Sequence, residues 1–128
     1  MTQVLVDYHM EGQAELIWSI LASEGWLELI PLQLVRFRDV DLHKRSNDRV
    51  VWRFAQQNRM LLLTNNRNME GSNSLEQTLR KENGPASLPV LTIANLHRLS
   101  ERPYRVRCAA NLLDIVVDLD NYLGQSKE

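Results

Sequence analysis

The chain carries one cysteine, Cys108, in 128 residues, so no disulfide can form within it. No apolar run approaches the roughly 20 residues needed to span a bilayer. The first residues lack the basic-then-apolar layout of a signal peptide. A reducing, cytoplasmic setting with no membrane partner is therefore expected. Neither sign of charge is in excess: the formal net charge is -1, which gives no global pull toward nucleic acid or anionic lipid. A nucleic-acid contact would need a local basic patch. Glycine-rich phosphate loops are missing too, since neither Gly-x-x-x-x-Gly-Lys nor Gly-x-Gly-x-x-Gly occurs. Of the three histidines, His9 follows Asp7 by two and could touch a site there, while His43 and His97 are isolated, and no His/Cys/Glu spacing suggests a structural zinc site.

What is present is ordinary for a globular chain: 44% hydrophobic and 24% charged residues. At this length a single domain over residues 1–128 is the natural count. The patterning alternates. A β-rich run at 3–8 is followed by helical spacing over 12–25 (Leu16, Ile17, Ile20, Leu21), with Gly25 as its stop. A second strand spans 32–37, and a charged loop runs from Arg38 to Arg45. Ser46 is an N-cap candidate for a helix whose apolar face is Val50, Val51, Phe54 and Ala55. Met60 to Thr64 is a continuously apolar third strand, the mark of burial on both faces of a parallel sheet.

Ser74-Leu75-Glu76-Gln77 has the layout of a capping box, and Gly84-Pro85 stops the helix that follows. A fourth strand spans 88–94, with Pro89 suited to a sheet edge. Ser100, Glu101 and Pro103 introduce a last helix, buried along Val106, Ala109, Ala110, Leu113, Val116 and Val117. Gly124 closes it before a frayed tail, 125–128. Cys108 lies in this helix and reads as a small core residue, not a nucleophile. The alternation implies an α/β fold: a three-layer α/β/α sandwich around a four- or five-stranded parallel sheet with right-handed crossovers. The expected strand order is 2-1-3-4, which puts the switch point between strands one and three.

Two strand ends carry the chemistry. Val4-Leu5-Val6 runs into Asp7, and Leu61-Leu62-Leu63 runs into Thr64-Asn65-Asn66-Arg67-Asn68. If the two strands are neighbours, Asp7 faces Thr64, Asn66 and Asn68 across one crevice at the carboxyl edge. Arg45-Ser46-Asn47-Asp48 adds a carboxylate at a helix start. These three motifs, in this order and at suitable distances, resemble the PIN-like nuclease superfamily, and more closely the short bacterial PIN-like domains related to toxin-type ribonucleases. The likeness covers roughly residues 3–94. Each motif alone is weak; the ordered set is moderately specific. The family pattern is a strand ending in Asp, a helix, a strand, a Ser-x-Asp helix start and a strand ending in Thr-x-Asp-x-Asp. Here Asn66 and Asn68 stand where the family usually has Asp.

The resemblance implies RNA cleavage with one or two divalent cations, Mg²⁺ or Mn²⁺, held by Asp7, Asp48, Asn66 and Asn68. Thr64, Asn65, Asn66, Arg67 and Asn68 would meet the substrate. It also implies a tendency to pair as homo-oligomers. Asn can ligate a cation only without charge. Each lost charge near a divalent ion costs on the order of 1–4 kcal/mol, so two substitutions weaken metal binding by orders of magnitude. A catalytically silent PIN-like module that binds a partner protein or nucleic acid is the competing reading. A receiver-like phosphorylation switch ranks last, because strand three ends in Thr-Asn-Asn rather than an acceptor Asp.

Plainer roles stand beside these. Asp7 can simply end a strand, Asp48 can serve a helix dipole, and the asparagines can bond a turn. Glu70, Asp39 and Asp41 read as solvated. Lys44, Arg45, Arg49 and Arg53 form a basic cluster that either steers phosphates or is a solvated helix face. Trp18, Trp26 and Trp52 read as packing residues.

Overall fold

The computed structural model describes residues 1–65 and 74–127. Its elements are β1 (Thr2–Val6), α1 (Glu11–Ser23), α2 (Trp26–Leu29), β2 (Leu32–Val35), α3 (Asp48–Gln57), β3 (Leu61–Thr64), α4 (Leu75–Glu82), β4 (Val90–Thr92), α5 (Arg102–Val117) and β5 (Ser126–Lys127). The fold is α/β with a parallel sheet. Four strands follow the order β2-β1-β3-β4, and the two-residue β5 adds to the outer side of β4. Val4 pairs with both Leu34 and Leu61, and Thr64 lies level with Thr92. Among the described residues, no helix is long and apolar enough to cross a membrane.

Strand side chains alternate between two apolar clusters, as the pleat requires. Val4, Val6, Leu61, Leu63, Leu91 and Ile93 pack with α1 and α5. Leu5, Val35, Leu62 and Val90 pack with α3 and with Leu75 of α4. All four residues of β3 are buried, as expected of a strand covered on both faces.

Several boundaries differ from expectation, each for a packing reason. Phe37 leaves the second strand and sits buried in a 3₁₀ turn, Phe37–Asp39. Trp26 opens a further short helix, α2, after Gly25, whose φ of +79° ends α1. The α3 cap is Asn47, whose side chain accepts the Val50 N–H, and not Ser46. The buried face of α3 is Val51, Trp52 and Ala55, while Val50 is exposed. The indole offers far more apolar area than a valine, so it claims the inward position. The same rule shifts α5 by one residue: Tyr104, Cys108, Leu112 and Ile115 are buried with Ala109 and Leu113, and Val117 is 63% exposed. Exposing Ala110 sacrifices little area.

The C-terminus departs most. α5 ends at Val117, a 3₁₀ turn at Leu119–Asn121 follows, and the tail pairs with β4 through Ser126 and Lys127. Gly124 makes this possible. Its φ is +77°, its N–H donates to Ser87 O at 2.7 Å, and an added Cβ would meet Gly84 O at 2.9 Å. Asn83 Nδ2 also donates to Gly124 O. Pro89 therefore precedes a strand that has a neighbour on each side over Val90 and Leu91.

Candidate functional site

β1 and β3 are neighbours in the sheet, and the chain leaves them toward opposite faces. After β1 it enters α1, which packs in one cluster; after β3 it reaches α4, whose Leu75 packs in the other. That divergence opens a crevice at the carboxyl ends of β1 and β3, where parallel sheets bind ligands.

Asp7 stands at its floor. Its backbone N–H donates to Leu63 O at 2.9 Å, continuing the ladder one step past β1. The Thr64 hydroxyl donates to Asp7 Oδ2 at 2.9 Å. The two strand ends thus meet side chain to side chain. The other carboxylate oxygen, Oδ1, faces His9 Nδ1 at 3.6 Å. The His9 ring in turn contacts Asn65 Oδ1 through Nε2, closing a loop of polar groups from Asp7 through His9 and Asn65 to Thr64. The Asp7 side chain is 16% exposed, so it is sheltered and still reachable.

Asp48 approaches from the α3 side. It is the first residue of α3, and its Oδ2 accepts the Leu75 N–H at 3.0 Å. It therefore touches the first turns of both α3 and α4, each capped by its own side chain, Asn47 and Ser74. Both helix N-termini favour negative charge there. Nevertheless burial dominates and holds the Asp48 carboxyl above its usual range. The Leu75 N–H pulls it down, the charge of Asp7 pushes it up again, and His9 pulls it down slightly. Asp7 and Asp48 are close enough to repel.

Thr92 is level with Thr64 on β4 and is buried, and its hydroxyl has no hydrogen-bond partner among the described residues; the same holds for Thr78 Oγ1 in α4. Asn66, Arg67, Asn68 and Glu70 lie outside the described residues, as does any contact they make. Several of the other acids and bases are engaged elsewhere. Asp39 Oδ2 accepts the Arg36 N–H, and Asp41 lies in a turn with φ of 60°. Arg53 forks onto Glu82 with contacts of 2.7 and 3.0 Å, and Arg49 adds a third at 3.4 Å. Two members of the basic cluster thus fasten α3 to α4, leaving Lys44 and Arg45 exposed.

Among the described residues, no three His, Cys, Asp or Glu side chains converge as a metal cage. Two carboxylates do converge, Asp7 and Asp48. Each has an oxygen, Oδ1, that accepts no close hydrogen bond among the described residues. Hard divalent cations take such oxygens together with several waters.

One participant had no usable sequence signal, and another, His9, had only its spacing to Asp7. The Leu75 N–H is a backbone donor placed by a helix start, which no residue type announces. His9 reaches Asn65 only because β1 and β3 are adjacent. Thr92 did have a signal: like Thr64, it ends a short apolar strand. Comparison of the chain with family models, curated proteins and solved structures gives no match.

Proposed function

We propose that this chain is a PIN-like protein, a three-layer α/β/α sandwich, whose strand-end crevice holds one Mg²⁺ or Mn²⁺ weakly and cleaves RNA phosphodiester bonds. The single observation that carries this reading is that Asp7 and Asp48, from separate elements, feel each other's charge: burial is the main cause that holds the Asp48 carboxyl above its usual range, and the Asp7 carboxylate adds to it. Like charges brought together at a sheltered strand end are an arrangement that a cation relieves.

In this reading Asp7 and Asp48 ligate the cation through their Oδ1 atoms. The Thr64 hydroxyl fixes the rotamer of Asp7, and the Leu75 N–H fixes that of Asp48. Asn66 and Asn68 complete the ligand set without charge, while Thr64, Asn65 and Arg67 meet the phosphate. Such a cation supplies an activated water and offsets charge on the phosphorane. The proposal extends to a reducing, cytoplasmic setting, supported by the lone cysteine, and to self-association.

A second reading has its own support. Both carboxylates already accept a hydrogen bond from the protein, and two motif positions carry Asn. A silent module binding RNA or a partner protein fits these facts. Calorimetric titration of Mn²⁺ into the protein and into Asp7→Asn, with a cleavage assay on mixed RNA, separates the two. Millimolar or tighter binding, lost in the variant by at least about tenfold, together with cleavage, supports the enzyme. No binding and no cleavage sinks it. Asn66→Asp combined with Asn68→Asp should tighten Mn²⁺ binding, and no change would reject the crevice as the site.

A further inference from the structure

Among the described residues, a hollow lies apart from the strand-end carboxylates. It is a pocket of about 210 Å³ between the carboxyl end of β4, residues 91–94, and one face of α5. Asp7 follows β1, two strands away in the sheet, a lateral distance of roughly 10 Å. The pocket belongs to the α1/α5 side, because Leu91, Ile93 and Cys108 are all part of that cluster.

Its lining is mostly apolar with a polar rim. Leu91, Ile93 and Cys108 are buried. Burial pushes the Cys108 thiol up, against smaller opposing pulls from Tyr104, Arg107 and Arg98. The thiol is therefore a neutral, apolar wall, and the positive charge of two arginines reaches it. Arg107 is exposed at the rim, with its guanidinium carbon 5.8 Å from the Tyr104 ring centroid. Arg98 stacks on the same ring at 4.7 Å and is shared with Glu101. Arg107 has no carboxylate within ion-pair distance among the described residues. Asn111, one turn along α5, adds an amide to the rim.

Size and charge select the occupant. An apolar cavity of about 150 Å³ holds a benzene ring, so this pocket has room for a six-membered ring and one small polar head. One guanidinium without a carboxylate partner among the described residues, beside an amide, matches one carboxylate. We propose that the pocket binds a small amphipathic monocarboxylate, its apolar body against Leu91, Ile93 and Cys108 and its carboxylate on Arg107 and Asn111.

Benzoate and benzyl alcohol, which share a ring and differ in charge, are suitable probes. In ¹H–¹⁵N correlation spectra of the full chain, benzoate should shift the amides of residues 91–94 and 107–111, saturating in the millimolar range expected of so small a ligand. Benzyl alcohol should bind at least about fivefold more weakly, and Arg107→Gln should weaken benzoate about tenfold while leaving the alcohol unchanged. Arg107→Lys should fall between the two. Arg107 is exposed, so an otherwise unaltered spectrum verifies that each variant is folded. No localised shift up to about 50 mM benzoate overturns the proposal. So does equal binding of the two probes, or affinity indifferent to Arg107; the pocket would then be an apolar slot suited to a partner's side chain.

Discussion

The two faces of the sheet are built from the same strands and serve different ends. The face toward α1 and α5 is the larger apolar cluster, and its buried members are hydrophobic throughout. The face toward α3 and α4 is smaller. By strand alternation it receives Thr64 and Thr92, and α4 with its cap adds Thr78 and Ser74; these four are the buried polar residues among the described ones. Asp48 and the carboxyl-edge crevice lie on the same side. Polar groups inside a fold cost free energy unless partnered, and Thr78 and Thr92 lack partners among the described residues. One face thus supplies stability, and the other tolerates unfavourable groups next to the candidate site, a division seen where function is held at the expense of packing.

The largest effect should come from the apolar face. Leu112 is 1% exposed in α5. Leu112→Ala should destabilise the protein by about 3 kcal/mol through lost transfer energy and a residual cavity. Its denaturant midpoint should fall with an unchanged slope. A loss below about 1 kcal/mol would mean that this face is not the stabilising one.

On the polar face the sign should reverse. The folded state raises the proton affinity of Asp48 above its usual 3.8. Stability from this group is therefore greatest below that value and declines as pH rises through the elevated one. Asp48→Asn keeps an oxygen for the Leu75 N–H and removes the half-buried charge. With the group only half-buried and its charge screened by solvent, the substitution should stabilise the protein at neutral pH by no more than about 1 kcal/mol and flatten the acid-side dependence of the melting temperature. Destabilisation at pH 7 would show that the carboxylate is net favourable there.

The smallest effect sharpens the same contrast. Thr92→Val replaces a buried hydroxyl that has no partner among the described residues by a methyl of the same shape, in a strand where valine is at home. It should be neutral or stabilise by up to about 1 kcal/mol. A loss comparable to that of Leu112→Ala would reveal a partner for Thr92 and weaken the distinction between the faces.

Much of the architecture was legible. Strand three was read from four consecutive apolar residues, and its burial at every position follows from the same run. Helix faces were less legible. Val50 and Val117 look as apolar as their neighbours, but Trp52 and Leu112 have more area to hide and set the rotation of their helices. The tail was misread because Ser126 and Lys127 carry no strand signal; β5 exists only because Gly124 can lie against the Gly84-Pro85 turn. Within the site, Asp7, Asp48 and Thr64 were named from strand and helix ends, and the His9–Asn65 contact was not.

The sequence by itself determined the alternation of strands and helices, the apolar centre of the sheet and the polar character of its carboxyl edge, because periodicity and burial are properties of local residue patterns. Only the tertiary structure decided that the Thr64 hydroxyl closes on Asp7, that Asp48 leans on the start of α4 and that α5 leaves a pocket beside β4. Those contacts join residues dozens of positions apart, and the packing of whole elements, not the preference of any one residue, sets their distances.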